Sequence, residues 1–182
     1  MTSTDVAQPK RGRESAADMI RSLGLVGVVI AATLIFVPGL FHPSKSQQFP
    51  ALDYSDYVSG FHQETGRTAL TPRPLPSGWK GSAATLTGPA AVEHLHIGFA
   101  TPGRQYAGLE ESVANVTAFA PTVLGARGSA VTGTVTIAGA SWQTRTSSRG
   151  EYSLSRTMRG VAVVITGSAT DAQLQLLAGS LH

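Results

Sequence analysis

The hydrophobic pattern opens with an uninterrupted apolar run, LGLVGVVIAATLIFVPGLF, at Leu23–Phe41. These 19 residues carry no charge, and as a helix they would extend roughly 28 Å, close to the thickness of a bilayer core. Because backbone groups in lipid must bond to each other, the run predicts a transmembrane helix. The competing interpretation is a buried core helix, which usually carries a polar face that this run lacks.

The residues beside the run favour an uncleaved signal anchor. Only Lys45 follows it closely, whereas four basic residues precede it: Lys10, Arg11, Arg13 and Arg21. The positive-inside rule then places the basic tail, 1–22, in the cytoplasm and the rest of the chain outside. A cleaved signal peptide is the alternative, but no small-x-small cleavage site follows the run.

A short linker, residues 42–52, leads into a segment with helical periodicity. Its apolar residues recur at i, i+3, i+4 and i+7: Tyr54, Tyr57, Val58 and Phe61. This stripe predicts an amphipathic helix that Asp53 caps at its start and Gly66 ends.

From Trp79 onward the period changes to two, which is typical of strands. Seven stretches have this character: WKGSAATLT, HLHIGFAT, QYAGLEES, GTVTI, ASWQTRTS, EYSLSRTM and VAVVITG. Between the third and fourth, Ala114–Leu124 predicts a short helix that Pro121 interrupts.

The chain closes with a second amphipathic helix, TDAQLQLLAGSL. Thr170 and Gln173 form a capping box, and the apolar stripe consists of Leu174, Leu177 and Leu181. The whole pattern predicts an α+β domain over residues 53–182, with an antiparallel sheet of about seven strands. The two end helices would cover one face of that sheet.

Composition narrows the function classes. The chain has no cysteine, which excludes disulfides, thiol nucleophiles and cysteine-ligated metals. The net charge of +3 is not spread evenly, and from His42 onward the chain has 10 basic and 8 acidic residues. Nucleic-acid binding, which needs a concentrated basic face, is therefore not expected. The sequence contains no phosphate-binding loop, dinucleotide fingerprint or Gly-x-Ser-x-Gly elbow. We therefore assign no catalytic, cofactor-binding or metal-binding residue and do not expect an enzyme.

The strongest candidate for a metal or acid–base site lies in the stretch EHLHIGFATPGRQYAGLEES. His94 and His96 alternate onto one face of a strand, and a glutamate (Glu93, Glu110 or Glu111) could complete a metal or acid–base set. The plainer interpretation, which we favour, is a solvent-facing strip on a half-buried strand. The residues facing the core would then be Leu95, Ile97 and Phe99.

Arginines and aromatics offer further candidates. Four arginines fall on one predicted hairpin and form a candidate interaction surface for anionic lipid, wall polymer or an acidic partner: Arg145, Arg149, Arg156 and Arg159. The alternative is a solvated sheet edge, where charge discourages aggregation. Four aromatic residues are expected in the core: Trp79, Phe99, Tyr106 and Trp142.

The order of these segments resembles a known family. A basic tail and apolar run, LPSGW at Leu75–Trp79, the hairpin arm at Thr101–Ser112, then GASWQ, YSLSR, VVITGSAT and a closing leucine helix are similar to the actinobacterial domain-of-unknown-function family 4245. The resemblance covers Arg13 to Leu181 and implies one N-terminal membrane span. That family has no established activity, so it implies no site residues. The Pro-x-Gly-Trp entry into the sheet is also similar to PsbP-like and Mog1-like α+β domains, which implies a binding or accessory role.

The sequence thus predicts a single-pass protein of the cytoplasmic membrane with its folded domain outside. We expect a non-enzymatic binding or accessory module for another envelope protein or membrane complex, with no cofactor and no nucleic-acid partner. The alternative is a small-ligand or lipid binder that uses a pocket between sheet and helices. A metal-dependent hydrolase built on His94, His96 and a glutamate is a third hypothesis.

Overall fold

The computed structural model describes residues 51–89 and 93–182. The predicted membrane segment Leu23–Phe41, the basic tail and most of the linker lie outside these ranges. Within them, no helix is both long enough and apolar enough to cross a membrane. The described residues belong to one compact unit, Phe49–His182.

The domain has an α+β architecture. The strands are β1 (Lys80–Thr87), β2 (His94–Ala100), β3 (Tyr106–Ser112), β4 (Gly133–Ile137), β5 (Ala140–Thr146), β6 (Tyr152–Met158) and β7 (Val161–Thr166). The α-helices are α1 (Ser55–Thr65), α2 (Val116–Leu124) and α3 (Asp171–Gly179), and a 3-10 turn covers Ala126–Ser129. The strands form one antiparallel sheet in the order β1-β2-β3-β7-β6-β5-β4. This confirms the predicted fold class and the seven-stranded sheet.

The first face of the sheet carries the larger hydrophobic core. Both end helices pack there, as predicted, with Phe61 from α1 and Leu174 and Leu177 from α3 fully buried. Opposite them lie the inward residues of the sheet, including Leu95, Ile97, Phe99, Leu109, Leu154, Val163 and Ile165. The inward assignment of the β2 residues is therefore confirmed.

The ends of α1 and α3 follow the predicted signals with one shift. Tyr54 occupies the N-cap position of α1, but Asp53 still accepts the backbone N–H of Ser55 at 2.9 Å. Gly66 ends α1 in the left-handed region at φ 68°. The capping box of Thr170 and Gln173 at α3 is present in full.

The second face of the sheet is covered in part by α2. Asn115 caps this helix by accepting the Thr117 N–H at 2.8 Å. The predicted interruption at Pro121 is wrong, because the helix continues through that residue to Leu124. Buried residues of α2 pack on β7 to form a smaller core: Phe119, Ala120 and Leu124 against Ala162 and Val164. Strand β7 is thus buried on both faces, which explains its unbroken apolar sequence.

Candidate functional site

Polar side chains gather on the second face of the sheet, beside α2. His94 and His96 alternate onto this face of β2, and strand pairing sets His96 opposite Glu110 of β3. Because side chains alternate along a strand, Tyr106 and Glu110 share one face of β3. The register of the hairpin therefore brings all four residues together.

These residues form one hydrogen-bonded chain, which we call the polar cluster. Glu110 accepts hydrogen bonds at both oxygens, from Nε2 of His94 at 2.7 Å and from Nδ1 of His96 at 2.6 Å. A carboxylate can only accept, so both of these ring nitrogens carry hydrogen. The other nitrogen of His96, Nε2, lies 2.9 Å from the Tyr106 hydroxyl. His96 is therefore held at both ring nitrogens.

Two glycines allow Tyr106 to reach His96. Gly98 and Gly108 face each other across β2 and β3, and the Tyr106 side chain lies against both. A Cβ atom at Gly98 would come within 2.8 Å of the Tyr106 ring and 2.9 Å of its hydroxyl oxygen. At Gly108 the corresponding Cβ would lie 3.1 Å from a carboxylate oxygen of Glu110. Any side chain at Gly98 would displace the tyrosine.

Burial and charge shift the proton affinities within the polar cluster. Glu110 is only 7% exposed. Burial by itself would raise the pKa of Glu110, but hydrogen bonds from His94 and His96 outweigh it and hold the pKa below its usual value. The hydrogen bond to Glu110 raises the pKa of His96. Burial and the nearby carboxylate raise the pKa of Tyr106 to about 12, so its hydroxyl keeps its proton.

A cleft of about 760 Å³ opens beside the polar cluster. His96, Tyr106 and Glu110 line one side of it. The remaining lining comes from the end of α2, the β5–β6 turn and the end of β7: Thr122, Val123, Leu124, Gly125, Ser147, Ser148, Arg149, Glu151, Thr166, Gly167 and Ser168. Most of these lining residues carry a hydroxyl, imidazole, carboxylate or guanidinium group, and Val123 and Leu124 are the apolar side chains among them.

The structure assigns the three candidate glutamates to different places. Glu110 joins the two histidines, Glu111 alternates onto the opposite face of the sheet, and Glu93 lies buried just before β2. The described residues contain no group of three or more His, Cys, Asp or Glu side chains placed to hold a metal ion. The favoured interpretation, a solvent-facing strip on a half-buried strand, is confirmed for the core-facing residues of β2. The two histidines on the other face are part-buried and bond to Glu110.

Glu111 is a second unusual carboxyl group. It is 0% exposed and lies on the face that carries the larger core. Both of its oxygens lie about 3 Å from the backbone nitrogen of Leu70, at 3.1 and 3.0 Å. Burial raises the pKa of Glu111 to about 8, although the Leu70 hydrogen bond opposes this shift.

The four predicted arginines do not form one exposed surface. Arg145 is 1% exposed and donates hydrogen bonds to Ser155 and to the backbone carbonyl of Gly128, so its surface assignment is corrected. Arg156 lies on the other face of the sheet, with its guanidinium 5.6 Å from the centre of the Trp142 ring. Arg149 lines the cleft, and Arg159 occupies the exposed β6–β7 turn.

The aromatic predictions hold with one exception. Trp79, Phe99 and Trp142 are buried in the larger core, but Tyr106 is 37% exposed on the opposite face. The core assignment of Tyr106 is therefore wrong. Its true place could have been read from the sequence, since Tyr106 alternates with Gly108 and Glu110 and so belongs to the polar face of β3.

The hydroxyl, imidazole and carboxylate of Tyr106, His96 and Glu110 form a path along which protons can shift without large movement. If His96 is neutral, the Tyr106 hydroxyl donates to Nε2. If His96 is protonated, Nε2 donates instead, and the Tyr106 proton is free to point elsewhere. The cleft therefore contains a hydroxyl group whose hydrogen-bonding direction depends on the imidazole.

Comparisons with known proteins identify the chain at the level of family. A comparison with curated proteins gave no match. The family model described as protein of unknown function (DUF4245) matches residues 11–181. This range covers nearly the whole chain and includes every residue of the polar cluster and the cleft. The chain therefore belongs to the DUF4245 family.

Proposed function

We propose that this protein is a membrane-anchored, extracytoplasmic binding module that takes a small polar ligand in the cleft beside the polar cluster. The observation that carries the proposal is the cleft itself. Its volume of about 760 Å³ lies within the usual range for small-molecule sites. A polar network with shifted pKa values borders it, and such networks concentrate at functional sites.

The lining favours a polar ligand over a lipid chain. Charged residues line the cleft together with five residues that carry hydroxyls: Thr122, Ser147, Ser148, Thr166 and Ser168. Most of these hydroxyls already bond within the protein, so the charged side chains decide the preference. An acyl chain would displace water from Arg149 and Glu151, which costs free energy. Of the two alternatives within the small-ligand hypothesis, the polar ligand is therefore better supported.

Binding is also better supported than hydrolysis. An activated nucleophile needs a lowered pKa or a free general base beside it. The pKa of Tyr106 is raised to about 12, and Nε2 of His96 already bonds to that hydroxyl. The polar cluster is thus arranged to hold hydrogen-bonding groups in fixed directions.

The membrane anchor and an envelope partner are also part of the proposal. The uncharged run Leu23–Phe41 and the four basic residues before it support an anchor with the domain outside. A linker of about ten residues would keep the domain within roughly 20 Å of the membrane, which raises its effective concentration toward membrane proteins. The similarity to PsbP-like and Mog1-like domains supports the same accessory role.

The test is native mass spectrometry of the full-length protein, purified from its own membrane in mild detergent. Thr122→Trp would fill the cleft from the exposed side of α2, and Thr117→Trp is the matched control. Thr117 is exposed on the same helix but does not line the cleft. We expect a small molecule to co-purify with the wild type and with Thr117→Trp, but not with Thr122→Trp. Equal retention by both variants, or no small molecule in the wild type, would contradict the proposal.

A further inference from the structure

We infer that the cleft binds a small anion that carries a carboxylate or phosphate group. The Tyr106 hydroxyl donates a hydrogen bond to this anion when His96 is protonated. This inference rests on the proposed function and adds the class of ligand and its coupling to a proton. The structural basis is the position of Tyr106, whose hydroxyl lies 2.9 Å from Nε2 of His96 on a side chain that also lines the cleft.

The coupling follows from the hydrogen-bonding capacity of each group. Neutral His96 already donates from Nδ1 to Glu110, so its Nε2 can only accept, and the Tyr106 proton must point toward it. Protonated His96 donates from both nitrogens. Tyr106 then accepts from Nε2 and turns its own proton toward another acceptor. Protonation of one imidazole thus adds both a positive charge and a free O–H donor beside the cleft, and each favours an anion.

The other charged groups near His96 leave this preference intact. From β3, Glu110 faces His96, and its negative charge is shared by two imidazoles because His94 bonds to its second oxygen. From the β5–β6 turn, Arg149 and Glu151 line the same cleft. The parts of α2 and β7 that line it carry no titratable side chain. Arg149 therefore provides a second positive group for an anion.

The carboxylate of Glu151 already has a hydrogen-bond partner within the β5–β6 turn. It accepts a hydrogen bond from the Ser147 hydroxyl at 3.3 Å. Among the described residues, no ion pair joins Glu151 to Arg149. Arg149 lines the same cleft as Tyr106, so its guanidinium is available to a ligand there.

The experiment is an NMR titration of the full-length protein with sulfate, which stays fully ionised over the range studied, and in parallel with lactate as a carboxylate probe. We expect dissociation constants about fivefold or more lower at about pH 6 than at about pH 8. Tyr106→Phe keeps the ring and removes the hydroxyl, so it should weaken binding at the lower pH more than at the higher. Arg149→Gln should weaken binding by a similar factor at both.

The outcomes separate this inference from the proposed function. Binding of either probe with this pattern of pH dependence supports the inference, and the stronger probe indicates a phosphate-like or a carboxylate ligand. Binding that does not change with pH, or that responds equally to Tyr106→Phe at both pH values, overturns the coupling to His96. If neither probe binds while a small molecule still co-purifies in the cleft, the anion class is wrong and the proposed function remains.

Discussion

At the scale of single residues, two neighbouring glutamates in one strand behave in opposite ways. Glu110 faces two histidines, which lower its pKa, whereas burial among core residues raises the pKa of Glu111 to about 8. The difference arises from strand alternation, because adjacent side chains point to opposite faces. One carboxyl group is ionised at neutral pH and the other is largely protonated.

Glu111→Gln should make the folded protein less sensitive to alkali. A carboxyl whose pKa is raised on folding stabilises the protein fully below its unfolded pKa near 4.5. That contribution is lost as the pH rises toward about 8, by up to about 1.4 kcal/mol per pH unit. The glutamine retains an acceptor for the Leu70 N–H and has no such pH dependence. The measurement is the free energy of unfolding by chemical denaturation at several pH values between these limits.

The control for this prediction is Glu64→Gln, at an exposed position of α1. It should leave the pH dependence of stability as it is in the wild type. A Glu111→Gln protein with the same slope of stability against pH as the wild type would show that Glu111 is ionised throughout and that its assigned burial effect is wrong.

Gly98→Ala should displace Tyr106 from the polar cluster. The added methyl group would lie 2.8 Å from the tyrosine ring, and overpacking of this kind typically costs about 1–3 kcal/mol. We expect lower stability and a His96 imidazole whose NMR signals no longer respond to Tyr106→Phe.

The matched control is Gly133→Ala on the edge strand β4. There a Cβ would meet only the Thr144 hydroxyl, at 3.1 Å, and the change in stability should stay within about 0.5 kcal/mol. Equal losses of stability from the two substitutions would mean that Gly98 and Gly108 do not position the Tyr106 side chain.

At the scale of elements, local sequence patterns predicted the helices and strands correctly where a local physical effect decides the structure. The seven stretches predicted after Trp79 matched the seven strands, although β7 is an unbroken apolar run and not an alternating one. The capping box located the start of α3. The signals failed where tertiary contacts decide the outcome. Pro121 fits within α2, and the helix that contains it packs on β7. Tyr57 of α1 is half exposed although it belongs to the apolar stripe.

Thr170→Ala should weaken α3 and, with it, the core that this helix covers. The Thr170 hydroxyl accepts a hydrogen bond from the N–H of Gln173 at 3.3 Å. In turn, the Gln173 side-chain oxygen accepts one from the N–H of Thr170 at 2.9 Å. Loss of such a cap typically costs about 1 kcal/mol. Thermal unfolding measures the effect, with Thr117→Ala, exposed in the first turn of α2, as the control. A cost no larger than that of the control would show that the capping box contributes nothing to stability.

At the scale of the whole molecule, sequence reasoning reached the architecture but only part of the site. It identified the stretch that contains His94, His96 and the three glutamates as the strongest candidate for a chemical site. Alternation along β3 already separates Glu110 from Glu111, which shares a face with the core residue Leu109. The pairing of Glu110 with His96 could not be predicted, because it depends on the register between β2 and β3. The cleft could not be predicted from the sequence either. The elements that line it, α2, the β5–β6 turn and the end of β7, are distant in sequence.

The arrangement in the membrane also belongs to this scale. We expect a reporter enzyme that is active only after export to be active when fused after His182. The same reporter fused after Arg21, before the apolar run, should be inactive. Activity of a strictly cytoplasmic reporter at His182 would contradict the predicted orientation. Reporter activity in intact cells, normalised to the amount of fusion protein, is the readout.

We propose that the cleft beside the polar cluster is a binding site. The most direct test is an experimental structure of the full-length protein purified from its native membrane without unfolding. We expect density for a small polar molecule within hydrogen-bonding distance of Tyr106 and Arg149, in the space between Thr122 and Ser168. A cleft that contains only water, in protein that carries its co-purified small molecule elsewhere, would contradict it.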